Sequence, residues 1–329
     1  MIRTMKAIRI HQYGGPEVLQ YEDVPEPTPR PGEAVVKIDA AGINFIDTYH
    51  RTGAYTVPLP TTLGQEGAGT VSALGADVPG MNVVKVGDRV AWTGILGSYA
   101  ESHAVPADRL VALPAGVTTK QGAAVMLQGM TAHYLACSTY PLKPGDTCLV
   151  HAGAGGVGLL LTQIAKLRGA GVITTVSTDA KAKLSRDAGA DHVVMYTSQD
   201  FEDEVKKITG GKGVQVVYDA VGLTTFAKSL NCLAVRGMLI LFGQSSGAVP
   251  PFDAQVLSQK GSLFLTRPTL GNYIATRAEL QQRSSDLFGW LAAGKLRLRM
   301  EFEFPLKDAA KAHQALEGRK TTGKVLLIP

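Results

Sequence analysis

A chain of 329 residues, 45% hydrophobic and 19% charged, can bury a large core and has room for about two domains, which excludes the disordered and fibrous classes. The net charge of +5 is dispersed, with no basic run longer than pairs such as Lys206-Lys207; this favours a solvated surface or a small polyanionic ligand over nucleic acid. Cys137, Cys148 and Cys232 are too scattered for a disulfide framework or a structural zinc site, and with no signal-like start and no apolar run of about 18 residues a soluble cytoplasmic protein is expected.

Residues 1–126 read as short strands punctuated by Gly and Pro, at 6–10, 34–40, 67–73, 89–92 and 99–105. Between the first two, Pro25-Glu-Pro-Thr-Pro-Arg-Pro31 is a loop, because proline donates no ladder hydrogen bond. Residues 127–269 alternate strand and helix, with strands at 148–151, 172–176, 192–195, 214–218 and 238–242. In the first of the helices, Val157, Leu161, Ile164 and Ala165 form one buried stripe and Gly169 is placed to end it. Residues 270–329 mix helices at 277–293 and 306–316 with strands at 297–304 and 325–328. The expected fold class is α/β: a β-rich, barrel-like unit and a doubly wound parallel sheet.

Between the first strand and first helix of that parallel series lies His151-Ala-Gly-Ala-Gly-Gly-Val-Gly158. Glycines 153, 155 and 158 have the G-x-G-x-x-G spacing of a dinucleotide-binding turn. The first glycine serves the tight turn, the second the approach of backbone to a pyrophosphate, and the third close packing of helix on strand. The phosphates then meet a helix N-terminus, where unpaired N–H groups and the helix dipole favour anions. The end of the second strand sets the choice of adenosine ribose. There the chain offers neutral Ser177, followed by the cation Lys181, which predicts NADPH over NADH. Asp179 is the competing acid; it is expected instead to cap a helix over 180–188 that Gly189 ends.

Several further blocks carry a resemblance. They are Gly14-Gly-Pro-Glu-Val-Leu19, Gly42-Ile-Asn-Phe-Ile-Asp-Thr-Tyr49, Val86-Gly-Asp-Arg-Val90, Val217-Tyr-Asp219, Phe242-Gly-Gln-Ser-Ser-Gly247 and Leu265-Thr-Arg-Pro268. With 151–158 they make the chain, over nearly its whole length, resemble the NADPH:quinone oxidoreductases (the ζ-crystallin group) of the medium-chain dehydrogenase/reductase superfamily. The resemblance implies a GroES-like catalytic domain over 1–126 and 270–329, interrupted by a Rossmann NADPH-binding domain over 127–269. It also implies a homodimer through the Rossmann edge strand near 263–266.

Site residues carry over as expectations. Asn44, Phe45, Ile46, Asp47 and Thr48, with Tyr49 and Tyr55, are expected near the nicotinamide and substrate. Asn44 can orient the carboxamide or a quinone oxygen, Tyr55 can donate to a developing oxyanion, and Tyr49 serves either there or in loop packing. Thr131 is expected at the nicotinamide amide, and Gly155, Gly156 and Val157 at the pyrophosphate. Ser177, Lys181 and Tyr196 are expected at the adenosine phosphate, and Phe242, Gly243, Ser245 and Ser246 after the fifth strand. Leu265, Thr266 and Arg267 are expected on the nicotinamide side. Arg319 either approaches the cofactor or is a surface residue, and structural roles are expected for His133 and His151.

Zinc is not expected. Alcohol dehydrogenases of the superfamily bind catalytic zinc through a cysteine that would fall near 42–44, where none exists. Their Gly-His-Glu motif reads Gly64-Gln65-Glu66 here, and the four-cysteine structural lobe is missing between Trp92 and Glu101. What remains is hydride transfer from NADPH to an acceptor that needs little electrophilic help. A quinone is expected first, an enone or 2-alkenal second, and RNA binding of the ζ-crystallin type last, since no RNA motif is visible.

Overall fold

The computed structural model describes residues 3–77 and 84–329; of the opening segment read above, Met1 and Ile2 lie outside the described residues. Two compact units form, Thr131–Tyr273 and the pair of segments Met1–Met130 with Ile274–Pro329. Among the described residues no helix is long and apolar enough to cross a membrane.

In the unit Thr131–Tyr273 six strands make one sheet. They are β1 (Thr147–Val150), β2 (Gly171–Val176), β3 (His192–Met195), β4 (Val214–Asp219), β5 (Leu233–Leu241) and β6 (Phe264–Thr266). Their order is β3-β2-β1-β4-β5-β6, and every pairing is parallel. Strand order reverses between β1 and β4, the switch point at which such sheets bind dinucleotides. Leu149, Val150, Ile173, Val217, Leu239 and Ile240 are fully buried, as a sheet covered on both faces requires. Strand β5 begins five residues before the expected 238. Arg236 has φ of 59° and bonds its N–H to Gly261 O, so the chain bends inside the strand and the apolar alternation breaks there.

Helix α1 (Gly156–Leu167) follows β1. Leu161, Ile164 and Ala165 are buried as expected, while Val157 in the open first turn is only half-buried; Leu159, Leu160 and Thr162 are buried too, so the helix is covered on more than one stripe. Gly169, at φ of 80°, ends it. The glycines of the turn divide their work differently from the expectation. The left-handed residue is Ala152, at φ of 55°, and no glycine of the motif takes positive φ. Gly153 is needed for packing, because a Cβ there would lie 2.6 Å from Thr174 Cβ and 2.9 Å from Ser185 Oγ. A Cβ on Gly158 would fall onto the Ala152 carbonyl oxygen and 3.0 Å from Gly153 Cα, which confirms close packing of helix on turn.

The other unit is built on two sheets. One runs Gln20–Pro25, Thr4–Ile10, Thr61–Thr62. The larger runs Phe302–Pro305, Val325–Ile328, Glu33–Ile43, Glu66–Leu74, Arg89–Thr93, Val111–Ala112, with Ser102–Pro106 also paired to Glu33–Ile43. Val325 lies opposite Ile43 and Leu327 opposite Ala41, so the last strand joins the sheet of the first zone. Two expected strands are shorter than predicted. Of 297–304, only the stretch from Phe302 pairs, because its partner Val325–Ile328 is four residues long. Of 99–105, only the stretch from Ser102 belongs to the large sheet; Tyr99 and Glu101 instead bond their N–H groups to Leu63 O and Lys6 O.

Gly158→Ala is expected to cost about 2 kcal/mol, because the added methyl meets backbone that cannot move aside. The urea midpoint followed by circular dichroism checks this; an unchanged midpoint would show that the turn relaxes.

Candidate active site

At the carboxyl edge of the parallel sheet the expected cofactor residues come together in three groups. The first is the turn into α1. Gly155 is its N-cap, and a Cβ there would meet only Ala152, its carbonyl oxygen at 3.2 Å, so the turn is open on its outer side. The first turn of α1 holds no acidic side chain. The N–H groups from Gly156 and Val157 onward therefore form an uncontested anion cradle, which fits a pyrophosphate.

The second group follows β2 and β3. Tyr196 N–H bonds Val176 O at 3.1 Å, and Thr197 Oγ1 donates to Ser177 O at 3.3 Å, which ties Ser177 and Tyr196 side by side. Lys181 lies in the first turn of α2 (Asp179–Asp187). Here the expectation for Asp179 is corrected: the cap is Thr178, whose Oγ1 accepts from Lys181 N, and Asp179 is the first helical residue. Thr178 has the extended φ of −145° that a cap needs. The third group is 242–246, folded onto the loop after β4: Phe242 N–H bonds Asp219 O, Ser245 N–H bonds Ala220 O, and Ser246 Oγ donates to Val221 O at 2.8 Å. Asp219, fully buried, holds that loop through Val221 N, Gly222 N and Thr225 Oγ1. Leu265 and Thr266 lie in β6, with Arg267 exposed beyond it. Thr131 is buried in the helix Thr119–Tyr134, as is His133. His151 is buried with its ring nitrogens on Thr175 Oγ1 and Ser229 Oγ, and burial lowers its pKa, a structural role in keeping with expectation.

In the other unit the segment 44–55 is pinned from two sides. Asn44 caps the helix Phe45–Thr52, and its N–H donates to Asp47 Oδ2 at 2.8 Å. Its side chain is buried: Nδ2 donates to Glu66 Oε2 at 2.9 Å and to Gly42 O at 3.3 Å, while Oδ1 accepts from Lys324 Nζ at 2.9 Å. Lys324 is ion-paired to Glu66, and both are buried. Thr48 Oγ1 donates to Phe45 O, and Phe45 and Ile46 are half-buried. On the other side Asp47 Oδ2 accepts from Tyr99 Oη at 2.9 Å, Tyr99 Oη lies 3.2 Å from His313 Nε2, and His313 Nδ1 lies 3.1 Å from Arg51 Nη1. Arg51 makes a bidentate pair with Glu317. Tyr49 and Tyr55 pack edge to face with ring centroids 5.2 Å apart, beside His50. Arg319 sits exposed beyond the helix Ala309–Glu317, at φ of 56°.

Comparison with known proteins agrees with this geometry. Residues 30–115 match the alcohol dehydrogenase GroES-like domain, and residues 156–287 match the zinc-binding dehydrogenase model. The chain is 48% identical to a quinone oxidoreductase of Pseudomonas aeruginosa, covering 98% of this chain and 99% of the relative. The crystal structure of Escherichia coli quinone oxidoreductase complexed with NADPH superposes with a TM-score of 0.95 at 46% identity, covering 98% of this chain and all of that one. A 2-haloacrylate reductase of Burkholderia is 41% identical, over 97% of this chain and 98% of the relative. The chain belongs to the quinone oxidoreductase family.

Within the GroES-like domain neither soft zinc ligand of the alcohol dehydrogenases is present: no cysteine lies at 42–44 and position 65 is a glutamine. Gln65 stands where the histidine would, its Nε2 3.3 Å from the ring nitrogens of His50. Near Asn44 the Lys324 ammonium already occupies the polar space, and a fixed cation there repels a second one. Among the described residues no three His, Cys, Asp or Glu side chains are grouped to hold a metal ion. These residues do not fit zinc.

Sequence reasoning missed Lys324, His50, Tyr99 and His313. Lys324 precedes the last strand, and its role is visible only once Val325 is registered against Ile43. His50 was within reach, one residue after Tyr49 in a quoted block. Burial holds its imidazole below the ordinary value.

The charges leave Asp47 as the odd member. Glu66 is paired to Lys324 and Glu317 to Arg51, which leaves Asp47 without its own cation. Burial raises its pKa to about 7, against the hydrogen bonds from Asn44 and Tyr99 that favour the anion. A carboxyl raised in the folded state binds protons that the unfolded chain has released. Its contribution is therefore full below about pH 4 and is lost as pH rises towards 7. Asp47→Asn is expected to remove a fall on the order of 4 kcal/mol across that window, read from urea unfolding at a series of pH values. An unchanged pH profile in the variant would show that Asp47 is ionised throughout.

Proposed function

We propose that the protein is a zinc-independent NADPH:quinone oxidoreductase. The observation that carries this is the near-full-length likeness to a quinone oxidoreductase whose structure contains NADPH. When bound, NADPH supplies the hydride. The turn at Gly155, Gly156 and Val157 holds the pyrophosphate on helix N–H groups. Ser177 offers no acid to repel a 2′-phosphate, and Lys181 supplies a cation on the first turn of α2 beside it. Thr131, Phe242 to Ser246, Leu265 to Arg267 and Arg319 complete the cofactor contacts. Asn44 to Thr48 line the reacting end, and Tyr55, edge-on to Tyr49, donates to the acceptor oxygen as charge develops on it.

A second substrate class has one observation in its favour, the 41% identity to a 2-haloacrylate reductase, an enzyme of activated alkenes by name. We propose the quinone first, because it accepts hydride without a Lewis acid. The form we propose is a cytoplasmic homodimer. Its cysteines are free, as a reducing compartment keeps them. Strand β6 is paired on one side only, and Phe264 on it is 55% exposed.

Consumption of NADPH with phenanthrenequinone or naphthoquinone, against a 2-alkenal, tests the acceptor; a rate with the alkenal that matches or exceeds the quinones would reverse the order. Lys181→Glu is expected to weaken NADPH binding about tenfold or more and leave NADH unchanged, measured by calorimetry. Equal losses for both cofactors would remove Lys181 from the phosphate. Tyr55→Phe is expected to lower kcat with quinones by about tenfold or more, with binding of NADPH preserved.

A further inference from the structure

An asparagine amide offers two different faces: an oxygen that accepts, and a nitrogen that donates twice. Which face Asn44 can offer to a bound molecule depends on what the protein already uses. Its two N–H groups go to Glu66 Oε2, at 2.9 Å, and Gly42 O, at 3.3 Å. Its oxygen takes one proton from Lys324 Nζ at 2.9 Å and faces the Asp47 N–H across the capping box, whose hydrogen bond goes to the Asn44 carbonyl at 3.0 Å, so one lone pair stays open. The opposite orientation is closed. It would set the amide nitrogen against an ammonium, donor against donor, and the amide oxygen against a carboxylate, acceptor against acceptor. Asn44, Glu66 and Lys324 are 4%, 0% and 2% exposed, so no bulk water relieves such a mismatch.

The rest of the residue is held as firmly. Its N–H donates to Asp47 Oδ2, and its carbonyl accepts from Asp47 N at 3.0 Å. Gly42, two residues earlier, has no alternative: a Cβ there would fall on the Glu66 carboxylate and on Lys324 Cε. Glu66 also accepts from Leu127 N through its other oxygen, at 2.6 Å, so the carboxylate cannot swing away.

We propose that Glu66 and Lys324 are positioning residues that present Asn44 as a hydrogen-bond acceptor only, so that it selects the amino group of the nicotinamide carboxamide and makes no hydrogen bond to the quinone. The inference rests on the proposed NADPH function and resolves the two roles open to Asn44 from sequence. A quinone oxygen has no proton to give, and as it gains charge it needs donors, of which the Asn44 side chain has none left. That task falls to hydroxyls such as that of Tyr55.

The test compares binding of three cofactors by calorimetry: NADPH, its thionicotinamide analogue, which keeps the amino group, and its acetylpyridine analogue, which replaces it with methyl. The wild-type protein is expected to bind the first two alike and the third about tenfold more weakly. Lys324→Met leaves the Glu66 carboxylate to hold the amide nitrogen and is expected to keep that ratio. The double variant Glu66→Gln with Lys324→Gln keeps volume and hydrogen-bonding capacity but removes the charges that orient the amide. It is expected to shrink the ratio to about twofold or less. KM for the quinone is expected to stay constant in both. Equal binding of all three cofactors by the wild type, or an undiminished ratio in the double variant, overturns the inference. So does a rise in quinone KM with the ratio intact, which would place Asn44 on the acceptor. Failure of the wild type to bind NADPH at all would instead overturn the proposed function.

Discussion

The ammonium of Lys324 and the carboxylate of Glu66 meet where neither reaches water, and the segment that begins at Asn44 is arranged around them. Moving such a pair out of water costs several kcal/mol per ion, and attraction alone seldom offsets it. Here both charges find further partners. Lys324 also donates to Asn44, while Glu66 also accepts from Asn44 and from the backbone of Leu127. The pair and its partners come from four separated stretches of chain, at Asn44, Glu66, Leu127 and Lys324. The register of Val325–Ile328 against Ala41–Ile43 brings the last of them, Lys324, beside Gly42. The pair thus converts a strand pairing into a fixed amide orientation.

The helix Phe45–Thr52 is held from its other side by a chain of hydrogen bonds with a single direction. Arg51 has only protons to give, so His313 Nδ1 must accept. Burial and Arg51 push the His313 imidazole down to about 3, so it is neutral and carries its proton on Nε2. That proton goes to Tyr99 Oη, and the Tyr99 proton goes to Asp47 Oδ2. Because arginine does not release a proton, the chain is not a conduit to the surface at Glu317. Its effect is orientation: it fixes one carboxyl oxygen of Asp47, the same oxygen that accepts from Asn44 N–H.

The strand–turn–helix that carries the candidate cofactor site was legible in the sequence, because its signals are local. Gly153, Gly155 and Gly158 are spaced by the turn they build, and the strands around them are short apolar runs. Even there the division of labour was hidden, since the positive φ fell to Ala152 rather than to a glycine. The cap at Thr178 was misplaced by one residue because Thr and Asp both cap helices, and only backbone angles distinguish them. The reacting end was half legible. Asn44, Tyr49 and Tyr55 lie in one contiguous block, whereas Lys324 and His313 reach it across more than 250 positions of sequence, through contacts that no spacing rule encodes.

The same charges bear on which acceptor suits the site. With Lys324 paired to Glu66, and the Asn44 nitrogen committed to Glu66 and Gly42, the donor proposed for a developing oxyanion is the neutral hydroxyl of Tyr55. A hydroxyl donor is most useful to an anion of similar basicity, and tyrosine and other phenols titrate near one another, at about 10. The reduced form of a quinone is a phenol, so proton and charge can be shared with a tyrosine at little cost. The enolate left by hydride addition to an enone is more basic than a phenolate, so a phenolic donor matches it less closely. Asp47 adds to the constraint. As an anion it is a buried charge with no cation of its own, whereas protonated it leaves the buried set electrically neutral. A quinone is therefore the acceptor for which this arrangement of fixed charges asks least.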